Sequence, residues 1–287
     1  MPVTVVTDSA ASLPQQEAAR LGITAAPMGL VLGGFLYADG DLEPEEVLAR
    51  SATESIATSA PSPGDYAKTI EAAASGRGTV VITVSSRMSA SFDSACVAAR
   101  TLPAGTAEVV DSGTAAGAQG LVAIAAAEAA ARGAAMEQVA ATARRVAARV
   151  RLVAALDDLT QLARSGRVPP VAARASTSLR LRMMFEFRHG RIKARRPALG
   201  ADAAVQRIVS SVGGGSRAGL TLRASVMHAS APTAAALLAS RIGASFPSAE
   251  VRVTRFSPVM VAHTGPGLVG AAWWWDDPPA DGPSLGR

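Results

Sequence analysis

The sequence predicts an α/β fold in two domains, a parallel sheet in the first and a mixed α/β arrangement in the second. Three observations predict it: the length of 287 residues, a strand–turn–helix unit that recurs in the first half, and a hairpin pattern combined with strand–helix–strand in the second half. A chain of this length fits two α/β modules of ordinary size better than one.

The first half contains three copies of the strand–turn–helix unit. Apolar strand-like runs at residues 3–7, 79–84 and 108–110 each lead through small polar residues into a helical pattern. Since the carboxyl ends of parallel strands meet at one edge of a sheet, the hydroxyl-rich turns after these strands should lie together. Ligands of open α/β folds bind at that edge, where helix N-termini offer free N–H groups. This edge is the first candidate site.

The remaining elements divide at about residue 156. Residues 25–62 are predicted as a strand-rich excursion ending in the proline-punctuated segment TSAPSPGDY, a loop over the site. Helices at about 115–132 and 136–149 and a buried strand at 152–156 complete an N-terminal domain, 1–156. The C-terminal domain, 157–287, is predicted to contain helices at 158–164, 169–179, 201–212 and 233–242, a hairpin turning at His189-Gly190, and strands at 224–228 and 251–255; residues 258–263 close its pattern before HTGPG.

Charge is concentrated in one stretch of the chain. Residues 144–196 contain 14 basic and 3 acidic residues, a net charge of +11 in a chain whose total is +5. Such a region attracts nucleic acid, an acidic lipid surface or an acidic protein, or is simply a solvated arginine-rich surface. Its aromatic residues are only Phe185 and Phe187, at strand-like alternation, which gives little support to a base-stacking platform.

Several classes of protein are disfavoured by composition. The alanine-rich runs are interrupted before they reach membrane-spanning length, and MPVTVVTDSA has no signal-type apolar core, so we expect a cytoplasmic protein. The single cysteine, Cys96, cannot form an intramolecular disulfide or a cysteine-based metal cage.

Catalytic and cofactor motifs are missing. There is no Walker-type loop, no GxGxxG after the first strand, no GxSxG and no HExxH, and the three histidines are scattered along the sequence. Hydroxyls remain, and near helix N-termini they suit hydrogen bonding to a carboxylate or phosphate, although each could equally cap a helix. They are Thr58, Ser59, Ser62, Ser85, Ser86, Ser89 and Ser91.

Ordered motifs along nearly the whole chain give it a resemblance to the DegV family. They are the opening VTVVTDSAASLP, PMGLVLGGFLYAD, TSAPSPGDY, VSSRMSASFDSA, the Val-Asp-Ser at residues 110–112, LTQLARSGRV and the closing HTGPG. Each motif alone is weak evidence, but together and in order they identify the chain as similar to this family.

The resemblance implies a DegV-like fold, with a Rossmann-like N-terminal domain, that holds one long-chain fatty acid in a tunnel between domains. It implies a lipid-binding carrier, not an enzyme, with no cofactor besides the bound fatty acid and no metal. Carried over to this sequence, Thr58 and Ser89 hold the carboxylate, and Ser59, His263 and Arg167 are further ligand-binding candidates. In similar bacterial proteins a fatty acid kinase phosphorylates the presented carboxylate, so the basic region 144–196 is a candidate surface for such a kinase.

Two other functions stay open on the sequence. One is an enzyme that acts on an acyl or phosphorylated substrate with Asp8, Asp111 and Ser89; the other is a nucleic-acid-associated protein using the arginine-rich stretch. The chain also departs from the family pattern, since Ser89-Ala90-Ser91 stands where the family has Ser-Gly-Thr. If that turn requires a positive φ, alanine would strain or rearrange it.

Overall fold

The computed structural model describes residues 2–157, 159–167, 181–216 and 219–276. It confirms an α/β architecture and contains three sheets: a four-stranded parallel sheet, a three-stranded antiparallel sheet and a six-stranded mixed sheet. The helix predicted at 169–179 lies outside the described residues. No helix in the described part of the chain is long and apolar enough to cross a membrane.

The parallel sheet contains all three strands predicted for the first half. Its order is β2-β1-β6-β7, formed by β1 (Thr4–Asp8), β2 (Ile23–Ala26), β6 (Thr79–Thr83) and β7 (Ala107–Asp111). Valine, isoleucine and threonine dominate β1 and β6, and their β-branched side chains suit a pleated surface buried on both faces. Because all pairs are parallel, the polar turns after β1, β6 and β7 do meet at one edge.

Helices cover this sheet on both faces. They are α1 (Gln15–Arg20), α3 (Pro63–Ala73), α4 (Ser91–Thr101), α5 (Ala116–Ala131) and α6 (Met136–Arg149). The start of α3 is fixed locally by a capping box: Ser62 Oγ accepts from the Asp65 N–H at 3.1 Å, and Asp65 Oδ2 accepts from the Ser62 N–H at 3.0 Å. The predicted TSAPSPGDY loop is therefore largely wrong, because its two ends belong to a strand and to α3.

The alanine-rich helix α5 lies between the parallel sheet and the six-stranded sheet, in contact with strands of both. Small side chains let the backbones approach closely: a Cβ added at Gly117 would lie 2.5 Å from the Ser225 Oγ. Almost every α5 side chain is buried, so this helix is the central element of the molecule.

The excursion at 25–62 forms the three-stranded sheet, which confirms its strand-rich character. Its order is β4-β3-β5, from β3 (Gly29–Leu32), β4 (Phe35–Ala38) and β5 (Ile56–Ser59), with α2 (Pro44–Arg50) between β4 and β5. The fully buried Leu30 and Leu32 define its inner face. Thr58 pairs with Leu30 and Ser59 with Gly29.

The six-stranded sheet belongs to the second half of the chain, in the order β10-β9-β8-β13-β11-β12. Its strands are β8 (Arg151–Leu156), β9 (Leu181–Arg188), β10 (Arg191–Leu199), β11 (Thr221–His228), β12 (Glu250–Arg255) and β13 (Val269–Asp276). Its helices are α7 (Thr160–Arg164), α8 (Gly200–Gly213), α9 (Pro232–Ser245) and α10 (Pro258–Thr264). The hairpin at His189-Gly190 is confirmed.

Two features of this half differ from the sequence expectation. Residues 258–264 are a helix, and the next strand, β13, which lies between β8 and β11, was not predicted. Strand β8 lies on the N-terminal side of the expected division at 156/157 but pairs with β9 and β13 in the C-terminal sheet. The division itself stays a prediction.

Candidate functional site

An apolar cavity lies where the two halves of the chain meet. Both halves contribute large apolar side chains, and the space not filled by protein atoms is about 740 Å³, part of it open to solvent. The first half supplies Met28, Val84 and Met88, and the second supplies Phe185, Phe187 and Phe256. The cavity is thus shaped by residues that are distant in sequence.

Few polar side chains line this cavity. Among the described residues they are Ser89, Arg167, His263 and Thr264, of which the first three are predicted site residues. Arg167 and His263 also line an adjoining, more polar cavity together with Thr58, Gln161 and Arg164. The polar groups therefore gather where an apolar space meets a polar one, which suits a molecule with a long apolar part and a polar end.

Thr58 and His263 are in direct contact. The Thr58 Oγ1 lies 3.1 Å from the His263 Nε2, although the residues are 205 positions apart. Strand β5 directs Thr58 toward α10, and α10 carries His263 in its last turn. The start of α10 is set by Ser257, whose Oγ accepts from the Met260 N–H at 3.4 Å, with Pro258 at the first helical position.

The His263 imidazole is neutral at physiological pH. Burial, together with the positive charge of Arg167, lowers its pKa to about 4. A neutral imidazole has one N–H donor and one acceptor nitrogen, so it can bond Thr58 at Nε2 and still offer the other nitrogen.

Arg167 carries a positive charge with no acidic partner among the described residues. Its Nη1 donates to the Ser165 carbonyl, and burial lowers the pKa of the guanidinium. A partly buried positive charge is stabilised by an anion, so Arg167 is suited to bind an acidic ligand.

Ser89 lies in the turn before α4. Its Oγ accepts from the Ser91 N–H at 3.2 Å and lies 3.0 Å from the Ser91 Oγ. Ala90 has φ −74°, outside the left-handed region, so the alanine that replaces the family glycine causes no backbone strain. Either hydroxyl can be the donor in that contact, and when Ser91 donates, the hydroxyl hydrogen of Ser89 can bond a ligand.

Ser59 is not brought to the site. It is exposed and lies on the face of β5 opposite to Thr58, where its Oγ occupies the space a Cβ on Gly29 would need. Strand alternation alone would have separated these two neighbours.

Asp8 and Asp111 line neither cavity. Asp8 is fully buried and accepts from the Gln119 Nε2 at 2.8 Å, the Val84 N–H at 2.9 Å and the Tyr66 hydroxyl at 3.2 Å. Burial raises its pKa, and its partners lie on α3, on α5 and directly after β6, which makes it a structural connection.

Asp111 accepts from the Ser86 Oγ at 2.5 Å and the Gly113 N–H at 2.8 Å.

Sequence reasoning missed several residues that line the two cavities. Gln161 and Arg164 lie on α7, within the motif LTQLARSGRV that ends near Arg167, and this proximity was an available signal.

Thr264 follows His263, and its hydroxyl donates to backbone oxygens of Met260 and Gly265, each at 3.1 Å. The lining role of Phe185 and Phe187 depends on long-range packing.

This chain is similar to known proteins over nearly its whole length. A model described as "Uncharacterised protein, DegV family" matches residues 2–275. A DegV domain-containing protein of Streptomyces coelicolor is 33% identical over 277 residues, covering 93% of this chain and 96% of that protein.

Two solved structures are similar over nearly the whole chain. A DegV family protein from Thermus thermophilus, whose structure is presented as showing fatty acid binding, is 28% identical with a TM-score of 0.88, covering 96% of this chain and 100% of that one. DegV from Bacillus subtilis, presented as a fatty acid binding protein, is 26% identical with a TM-score of 0.85 over the same shares.

Proposed function

This chain belongs to the DegV family, and on that premise we propose that it binds one long-chain fatty acid in the apolar cavity between its two halves. In this proposal the acyl chain lies among the apolar side chains, and the carboxylate lies at Thr58, Ser89, His263 and Arg167. The fatty acids bound by the similar Thermus and Bacillus proteins support this ligand class.

The observation that carries the proposal is the partly buried charge of Arg167 at the polar end of an apolar cavity, a charge with no acidic partner in the described part of the chain. A fatty acid supplies both missing parts, an anion for the guanidinium and an apolar chain for the cavity. A neutral lipid would leave the charge unpaired, and a phosphorylated sugar would leave the apolar walls without a partner.

Apolar burial provides enough free energy for such a complex. About 15 methylenes at about 0.8 kcal/mol each give on the order of 12 kcal/mol before the costs of association. Hydroxyls, the imidazole N–H and the guanidinium then need only satisfy the carboxylate. The hydrogen-bond donors give orientation and selectivity for the acid, while the chain gives affinity.

A binding protein agrees better with the site than an enzyme does. Ser89 has no histidine or carboxylate within hydrogen-bond distance among the described residues, so no base is placed to activate it as a nucleophile. Asp8 is enclosed by structural partners away from the cavity. Phe185 and Phe187 face the cavity, so they are not free to stack on nucleic-acid bases.

We further propose that a cytoplasmic fatty acid kinase is the partner, since the polar cavity leads toward the proposed carboxylate position and a phosphoryl donor such as ATP is present in that compartment. Within the basic region several cations are engaged in ion pairs, among them Arg144 with Glu108 and Arg151 with Glu186. Four exposed cations have no acidic partner in the described part of the chain and are free to meet an acidic protein: Arg188, Arg191, Lys193 and Arg196.

Binding to delipidated protein tests the ligand assignment. Replacing Arg167 by Gln should weaken binding of hexadecanoic acid by about 10-fold or more, because a charged hydrogen bond is lost. Arg145→Gln, on α6 and away from both cavities, is the control and should leave binding unchanged. Equal binding by Arg167→Gln and the wild type would contradict the carboxylate position.

Charge reversal tests the partner surface separately. Changing Arg188, Arg191, Lys193 and Arg196 to Glu should reduce phosphorylation of the bound acid by the kinase while leaving fatty acid binding within about 2-fold. Loss of both together would count against a separate docking surface.

A further inference from the structure

Two chain segments carry the proposed carboxylate-binding residues of the second half. One runs from the end of β8 through α7 to Arg167, and the other runs from α10, with His263, into β13. Both leave the six-stranded sheet at the same edge, because β8 and β13 are antiparallel neighbours. The relative position of Arg167 and His263 therefore depends on how the chain after β8 and the chain before β13 are held together.

Arg182, on the neighbouring strand β9, joins these two segments. The pairing of Leu156 with Met183 places Asp157 opposite Arg182, one residue beyond the end of β8. The pairing of Val269 with Ala155 likewise places Gly267 opposite Asp157. Arg182, Asp157 and Gly267 thus form one row across three strands.

The Arg182 guanidinium spans this row. Its Nη1 lies 2.9 Å from the Asp157 Oδ1 and donates to the Gly267 carbonyl at 3.4 Å. Gly267 has φ +87°, and a Cβ there would lie 3.0 Å from the Asp157 Oδ2, so the turn comes close to the carboxylate. Arg182 contacts the start of one segment and the end of the other.

This contact adds little to overall stability. The Asp157 side chain is 64% exposed, and ion pairs with so exposed a partner contribute little because water screens them. What the arginine fixes is geometry: Asp157 lies ten residues before Arg167, and Gly267 lies four residues after His263.

We infer that Arg182 is a positioning residue for the carboxylate end: it holds the two segments that carry Arg167 and His263 in register and so sets the preference for a charged head group over a neutral one. The inference rests on the proposed function, since it concerns the acid bound in the same cavity. Arg182 lines neither cavity and acts through Asp157 and Gly267.

A pair of ligands with the same chain separates positioning from general damage. Delipidated protein is titrated with hexadecanoic acid and with hexadecan-1-ol, both delivered from cyclodextrin. In Arg182→Gln we expect acid affinity to fall by about 5- to 20-fold, because the donors are displaced from the carboxylate, and alcohol affinity to stay within about 2-fold. Arg182→Lys, which keeps the charge but not the planar fork, should recover part of the loss.

The controls keep the outcome decisive. Arg241→Gln breaks a similarly exposed ion pair, with Asp202, away from both cavities and should change neither affinity. Asp157→Asn tests the same contact from its other side and serves if Arg182→Gln fails to fold. Equal losses for acid and alcohol, or no loss for the acid, would overturn the positioning role. A wild type that binds neither ligand would instead refute the proposed function, and this inference with it.

Discussion

Thr58 and Ser59 are adjacent in sequence, yet only Thr58 lines the polar cavity, so the two form a matched pair for testing the carboxylate site. Thr58→Val keeps the β-branched shape that suits β5 but removes the hydroxyl. We expect the affinity for hexadecanoic acid to fall by about 10-fold, since one hydrogen bond to the carboxylate is lost. Titration of delipidated protein measures it.

Ser59→Ala is the control for that change. Its side chain is exposed on the opposite face of β5, so fatty acid affinity should match that of the wild type. If Ser59→Ala weakened binding as much as Thr58→Val, the orientation of β5 described above would be wrong for the bound state.

His263 should make the stability of the ligand-free protein depend on pH. Burial lowers its folded-state pKa to about 4, against 6.5 ordinarily. Between these values the unfolded chain takes up a proton that the folded protein does not, so the free energy of unfolding falls as the pH falls. The expected contribution is about 1.4 kcal/mol per pH unit across this window.

Chemical denaturation at several pH values, compared with His263→Gln, measures this contribution. The variant cannot take up the proton, so its free energy of unfolding should fall less steeply between about pH 6.5 and pH 4. Identical slopes in both proteins would show that His263 is not buried as a neutral group.

The sequence predicts which residues form the site better than it predicts which side chains surround them. Family motifs pointed to Thr58, Ser89, Arg167 and His263, and the structure gathers them around two adjoining cavities. Whether a carboxylate folds next to Arg167 is set by long-range packing, which no local pattern encodes. The position of Ser59, by contrast, follows from the alternation of a strand and could have been predicted.

The hairpin of β9 and β10 is the element that covers the cavity, with Phe185, Phe187 and Ile192 in the lining. Its tip rests on the first half: the Gly190 N–H donates to the Gly113 carbonyl at 2.6 Å. Gly190 has φ +71°, and a Cβ there would lie 2.6 Å from the Arg87 Cδ and 2.7 Å from the Ser85 Oγ. An alanine there would push these side chains aside and adopt a φ that favours glycine.

Gly190→Ala should displace the tip and speed the release of bound fatty acid several-fold, because the cavity cover loses its contact with the first half. Stopped-flow transfer to an acceptor protein measures the release rate. Gly105→Ala is the control, since Gly105 has a similar φ of +79° but no atom within 4 Å of an added Cβ. Equal release rates in the two variants would show that the tip does not control release.

Some helices and strands follow from their local sequence and others do not. The start of α10 was predictable, since Ser257-Pro258 is a typical cap followed by proline at the first position. Strand β13 was harder, because VGAAWW in its first six positions is buried on both faces and shows no alternation. Its place between β8 and β11 is set by long-range pairing.

At the scale of the whole molecule, the two halves are joined by helix α5, by the cavity walls and by ion pairs. Arg252 of β12 pairs with Glu17 of α1 at 2.6 Å, and Arg255 pairs with Glu43 at 2.5 Å. A ligand that fills the space between the halves should therefore stabilise the fold as a unit.

Removing the ligand should lower the thermal midpoint. At a free ligand concentration about 100 times Kd, binding adds about 2.7 kcal/mol, which corresponds to a rise of several degrees for a protein of this size. Calorimetry of delipidated protein with and without hexadecanoic acid measures this, and Arg167→Gln should show a smaller rise. A midpoint that does not respond to the acid would mean that the ligand does not bind the folded state.

The length of the chain and the recurring strand–turn–helix unit predicted the α/β class, and the sheets confirm it. The exact membership of β8 was not predictable, because a buried apolar strand fits either sheet equally well by its own sequence. The cavity itself arises only when both halves are assembled.

Native mass spectrometry of the purified protein, followed by organic extraction and lipid analysis, tests fatty acid binding most directly. We expect one long-chain carboxylic acid per chain, lost on delipidation and regained when hexadecanoic acid is added. A protein that is purified without lipid and does not take up added fatty acid would show that this chain is not a fatty acid carrier.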